Sequence, residues 1–92
     1  MIFEWDEKKA ARNSAKHGVL FPYVVRVFLD PQRLDAEDAR RDYGEQRRCT
    51  LGEIDGRLFA VVYTIRDAAI RIISAQKVND RERRQYDETL ST

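Results

Sequence analysis

Nine side chains in this 92-residue chain have the chemistry to hold and turn over a phosphodiester: Lys9, Asn13, Lys16, His17, Arg47, Arg66, Arg71, Lys77 and Tyr86. Metal-independent RNA cleavage needs a base for the 2′-hydroxyl proton, cations around the developing phosphorane and an acid for the leaving oxygen. A positioned His or Lys can move the protons, and Arg can clamp phosphate bidentately. The strongest concentration of charge is Arg66–Tyr86, where six positive residues stand against three acids. Arg71, Ser74 and Lys77 lie there on a β-branched, apolar run that reads as a strand, leading into an Arg-rich helix that contains Glu82.

Other chemistries find little support. One His and one Cys, thirty-two residues apart, match no zinc spacing. Ser74 has no glycine elbow to expose it as a nucleophile, and there is no glycine-rich phosphate loop. No cofactor is called for. Cys49 reads as a buried strand thiol and fits a reducing compartment. With no apolar run near the ~18 residues of a membrane span, the expectation is a soluble, cytoplasmic protein. Net charge is only +1, so any nucleic-acid signal must come from clustering.

The elements that position these residues follow from pattern. Ile2–Trp5 reads as a strand with Phe3 and Trp5 on one face. Asp6 caps a helix that ends at Gly18. On its wheel Ala10, Ala11, Ser14 and Ala15 face inward, and Lys9, Arg12, Asn13, Lys16 and His17 face outward. Phe21–Asp30 carries an apolar stripe at Phe21, Val24, Val25, Phe28 and Leu29, the pattern of a core-facing helix. Gln32–Gln46 is polar, with five acids against three arginines (Arg33, Arg40, Arg41), and reads as a loop with room for an edge strand near Arg33–Ala36. Arg47–Ile54, Leu58–Ile65 and Ala69–Lys77 form an antiparallel meander, its first turn made by Asp55-Gly56 and its second by Arg66-Asp67-Ala68. Asn79–Leu90 is a final helix with a thin apolar stripe, Tyr86 and Leu90. The sum is one α+β domain over residues 1–92, a small antiparallel sheet in the order β-α-α-β-β-β-α.

Each functional candidate also has a structural reading. His17 sits where a cation caps a helix C-terminus. Lys9, Asn13 and His17 form one column, as a solvated face also does. Arg71 could pair with Glu45 or Glu82, Arg81, Arg83 and Arg84 could be a solvated helix face, and Tyr86 could anchor its helix.

Phe3-Glu4-Trp5-Asp6, Lys9, Asn13, Lys16-His17-Gly18 and Phe21 resemble the N-terminal signature of the BrnT family of bacterial toxins. Glu45-x-Arg47, Leu51-Gly52, Tyr63-Thr64-x-Arg66, Ile70-Arg71-Ile72-Ile73-Ser74-Ala75, Glu82-Arg83 and Tyr86 continue the likeness in the same order, from residue 3 to about 88. The resemblance implies the toxin of a type II toxin–antitoxin pair with a RelE/ParE-like fold, a ribonuclease that blocks translation. Its antitoxin would bind both the toxin and operator DNA. By position, the polar residues that fit the motif are Lys9, Asn13, His17, Glu45, Arg47, Arg66, Arg71, Ser74, Glu82 and Tyr86, and the match does not settle which of them does chemistry. Taken with the cationic inventory above, the expectation is catalysis by His17, Arg71, Lys9 and Arg66, and RNA contacts from Asn13, Lys16, Arg47, Ser74, Lys77, Glu82 and Tyr86, with no metal. Where the family pattern carries an arginine this chain has Gln76, which is neutral, and Lys77 points to the other face. That shifts the cationic role to Arg71 and Arg66. The alternatives are a non-catalytic binding module, such as a degenerate toxin kept as corepressor, and a poison of a DNA-processing enzyme.

Overall fold

A computed structural model describes residues 1–40, 42 and 44–91; Arg41 lies outside the described residues. The first strand, β1 (Ile2–Trp5), stops where Asp6 takes over as a helix cap. The Asp6 carboxylate accepts from the backbone N–H of Lys8 (2.8 Å) and Lys9 (3.1 Å), starting α1 (Glu7–His17). Gly18 ends it in the left-handed region (φ 67°), donating its N–H to the Ser14 carbonyl.

The expected helix over Phe21–Asp30 divides into α2 (Phe21–Val24) and a 3₁₀ turn (Val25–Leu29). A 3₁₀ turn stacks residues three apart, so Phe21, Val24 and Val27 form the buried line. Leu29, expected in the core stripe, is 76% exposed, and Val27 takes its place. Asp30 terminates the turn by accepting from the backbone N–H of Gln32 and of Glu53, both at 2.9 Å.

The sheet has five strands: β1, β2 (Leu34–Glu37), β3 (Arg48–Ile54), β4 (Arg57–Arg66) and β5 (Ala69–Lys77). They lie in the order β1-β5-β4-β3-β2. Two features depart from the sequence reading. The segment Leu34–Glu37 is a full edge strand, antiparallel to β3, so the element order gains a strand. And β1 runs parallel to β5, from Ile2 opposite Ala69 to Trp5 opposite Ile72, so the sheet is mixed rather than antiparallel. Alternation in Phe3 and Trp5 fixes which face is buried but is blind to the direction of pairing. The meander itself holds, with β4 central and buried on both faces from Leu58 to Val61. Asp55-Gly56 turns it with both residues at positive φ, as a two-residue hairpin requires. Asp67 (φ 51°) and Ala68 (φ 66°) do the same at the second reversal, without a glycine.

The helices cover one face of the sheet. There Phe28 stacks edge-on against Tyr63 (5.0 Å between centroids) and tilts against Phe3, while Phe21 meets Trp5. Gly52 lets the 3₁₀ turn approach β3: a Cβ there would lie 2.7 Å from Val27 Cγ1. Below Phe28, Asp35 collects Arg33, Arg48 and the Tyr63 hydroxyl in one polar knot. Burial works to raise the Asp35 pKa, but the donors Tyr63 and Arg48 win and hold it below the carboxylate range. On the opposite face, among the described residues, α3 (Asp80–Ser91) is the one helix that offers cover, at one end. Asn79 caps it by accepting from Glu82 N–H (2.8 Å). Tyr86 is buried and reaches Asp30 through its hydroxyl (3.3 Å), and Arg83 pairs with Glu53 (2.8 Å). Among the described residues no helix is long and apolar enough to cross a membrane.

Candidate active site

Helix α1 presents its basic side chains along β5 beyond the point where β1 ends. Lys9, Arg12, Lys16 and His17 line a shallow cleft of ≈ 220 Å³ together with Ile73 and Ser74. Asn13 completes the lining among the described residues, and no acid is among these. Lys9, Arg12 and Lys16 follow at i, i+3 and i+7, one stripe of the helix. His17 is half-buried in the last turn of the helix and lines the cleft.

The structure corrects the helical wheel at Asn13. It is buried, not outward, and Ala11 and Ala15 are exposed instead. Its amide nitrogen donates to the carbonyls of Val19 (3.1 Å) and Ala75 (2.9 Å), and its oxygen accepts from Ala75 N–H (3.0 Å). The reason is in the sheet: β1 pairs with β5 only as far as Ile72, which leaves the backbone of Ala75 without a strand partner on that side. Asn13 supplies one side chain's worth of missing strand. Both amide protons and one lone pair of the oxygen go to backbone, which makes Asn13 the pin under the cleft.

A β-bulge at Ile73 decides what β5 shows to each face. Val62 pairs with Ser74 and Tyr63 with Ile72, so Ile73 is the extra residue. Ser74 and Gln76 therefore share the open face with Arg71, opposite Val62, Ala60 and Thr64. Lys77 goes to the other face, beside Tyr23 and Phe59, away from the cleft. Gln76 and Lys77 thus point apart, as strand alternation requires.

The remaining cations gather at the end of the open face. Arg71 lies across the strands from Thr64 on β4 and Glu4 on β1, and pairs with Glu4 (3.8 Å). The sequence offered Glu45 or Glu82 as its partner; the parallel register puts Glu4 there instead. Glu45 holds Arg47 (3.1 Å) and Arg66 (3.5 Å). It shares a pocket of ≈ 380 Å³ with Thr64 and Arg66, where the Thr64 hydroxyl donates to the Gln46 carbonyl (2.7 Å). Arg66 is more than half exposed, so its pair is worth about 0–1 kcal/mol, and exchanging the carboxylate for a phosphate costs little.

The expected site residues therefore divide. Lys9, Lys16, His17 and Ser74 meet in the cleft; Arg47, Arg66 and Arg71 lie at the end of the open face. Glu82 borders a separate apolar groove, and Tyr86, expected to contact RNA, is buried as the anchor of α3. Two residues outside the expected catalytic and RNA-contact sets also take a place at the site. Arg12 was legible from its spacing to Lys9 and Lys16. Glu45 was legible only as the acid two residues before Arg47, and its hold on Arg66 depends on the loop.

Among the described residues no group of three or more His, Cys, Asp or Glu side chains could hold a metal ion. No curated protein matches the chain. The family model of the ribonuclease toxin BrnT of type II toxin–antitoxin systems matches residues 5–82 of the 92, a span that takes in α1, the meander and both clusters of cations. The chain belongs to the BrnT family of type II toxin–antitoxin ribonuclease toxins.

Proposed function

We propose that this chain is a cytoplasmic, metal-independent endoribonuclease that blocks translation and is neutralised by a cognate antitoxin, itself the operator-binding partner. The observation that carries the reading is the convergence of Lys9, Arg12, Lys16, His17 and Ser74 on one cleft with no acid among its described lining residues. RNA backbone lies along it, with the lysines and Arg12 neutralising phosphate. His17 takes the 2′-hydroxyl proton as the 2′-oxygen attacks phosphorus. Lys9 stabilises the phosphorane and returns a proton to the departing 5′-oxygen. Arg66 and Arg71 hold the adjoining phosphates, in the cationic role that Gln76 cannot fill.

Expression without antitoxin should arrest growth and leave RNA with new 5′-hydroxyl ends. His17→Ala or Lys9→Ala should lower cleavage by roughly 10²–10⁴-fold and relieve the arrest, with the circular dichroism unchanged. A folded His17→Ala protein that stays fully toxic removes His17 from the chemistry. Intact RNA beside stalled replication would instead indicate a poison of a DNA-processing enzyme, and a folded wild type without toxicity a binding module.

A further inference from the structure

The open face of the sheet carries a groove of ≈ 540 Å³ that the chemistry above does not use. Its floor is aliphatic, built by Leu34, Leu51, Ala60 and Val62 from three neighbouring strands. Acidic residues border it: Glu37 at the end of β2 and Asp38 just beyond it on one side, Glu82 of α3 on the other, with Arg40 beside Asp38. Asp38 is neutralised by Arg40 (2.7 Å). The carboxylates of Glu37 and Glu82 make no ion pair or hydrogen bond among the described residues. While the opposite face is sealed by α1, α2 and the 3₁₀ turn, this one is left half-covered, and small residues such as Ala60 leave depth for incoming side chains.

We infer that this groove is the docking surface for the antitoxin, taking a segment with aliphatic side chains on one side and Lys or Arg at its margins. The inference rests on the toxin–antitoxin reading for the existence of the partner and on charge complementarity for its kind. Nucleic acid does not fit: Glu37 and Glu82 repel phosphate, and no aromatic ring among the described lining residues offers a base a stacking platform. A basic amphipathic segment satisfies both features at once, filling the floor and neutralising the free carboxylates. The position has a functional consequence, because Ser74 lines both this groove and the basic cleft. A segment seated in the groove abuts the RNA site across a single residue of β5 and obstructs it without occupying its cations.

The chain's only cysteine, Cys49, lies in the groove and reports on it without mutation. Burial, and then the Asp38 carboxylate, hold its thiol above the usual range, so alkylation is best followed at mildly alkaline pH. The toxin is alkylated with N-ethylmaleimide alone, with RNA, and as the complex co-expressed with the product of the adjoining reading frame. In the complex the rate should fall at least tenfold, and RNA alone should leave it unchanged. Glu37→Lys and Ala36→Arg, both at exposed positions on the lip, should each weaken the complex by roughly tenfold and leave RNA cleavage intact. A formed complex with Cys49 fully reactive, protection by RNA, or lip variants that bind as wild type would each overturn the assignment. Cleavage plays no part in the binding readout. A protein that binds through the groove but cuts no RNA would sink the ribonuclease reading alone; one that cuts RNA but leaves Cys49 open in the complex would sink the groove alone.

Discussion

Replacing Asn13 tests whether this side chain is a structural pin or an RNA contact. Asn13→Ala removes three hydrogen bonds and leaves the Ala75 N–H, the Ala75 carbonyl and the Val19 carbonyl without their partner. At about 1 kcal/mol for each bond, the loss is about 3 kcal/mol. A domain of this size holds roughly 5–14 kcal/mol in total, so a substantial fraction of stability goes with one amide. The melting temperature should drop by roughly 12–24 °C, at about 4–8 °C per kcal/mol. Asn13→Asp sharpens the test because it is nearly isosteric. Its carboxylate can still accept from Ala75 N–H, but it sets an oxygen against two carbonyls where the amide donated. At neutral pH the loss should equal or exceed that of Asn13→Ala. That environment raises the pKa of the new acid, so the deficit should shrink as pH falls and the protonated form regains one donor. Chemical denaturation of the three proteins from pH 4 to pH 8 measures all of this. An Asn13→Ala protein that melts with wild type yet fails to bind RNA would refute the pin and restore Asn13 to the nucleic-acid surface.

Two further perturbations follow from the fold. Asp35 has its folded-state pKa depressed, so its contribution is present above the unfolded value of about 3.9 and is lost as pH falls through the folded one. Asp35→Asn should cost on the order of 2 kcal/mol at neutral pH and flatten the acid limb of the stability profile; an unchanged acid limb would show that the knot with Arg33, Arg48 and Tyr63 does not govern it. Ala68 sits in the left-handed region at φ 66°, where a Cβ costs about 1 kcal/mol, so Ala68→Gly should raise stability by about that amount in urea denaturation. A destabilised variant would mean that the entropy of the added glycine outweighs the relief.

Much of this architecture could be read from local chemistry. Asp6 and Gly18 bracket α1, Asp55-Gly56 makes the first hairpin and the doubly apolar β4 is central, each because a single residue type has a single cheap solution there. What escaped depends on partners far away in the chain. The parallel seat of β1, the bulge at Ile73 and the inward turn of Asn13 are all consequences of where β5 lies, and no window of neighbouring residues contains that information. The same holds for the site. The outward basic face with Lys9, Lys16 and His17 could be seen on a helical wheel, whereas its junction with Ser74, and the division of Arg47, Arg66 and Arg71 into a second cluster, required the sheet. Tyr86 follows the structural reading available from its helix stripe: its ring serves burial and its hydroxyl reaches Asp30.

The parallel seat of β1 also sets the order in which this molecule can come into being. Ile2 finds its partner in Ala69, 67 positions further along. At synthesis rates of about 5–20 residues per second, roughly 3–13 s separate the making of the two. Through that interval α1 can wind, but the strand that supplies Ser74, and that Asn13 must grip, does not exist. Closure over so long a span is also slow compared with pairing between neighbours. The basic cleft therefore cannot assemble on a nascent chain that has not yet reached β5. A ribosome making this chain must have passed β5 before the cations of α1 have a strand to face.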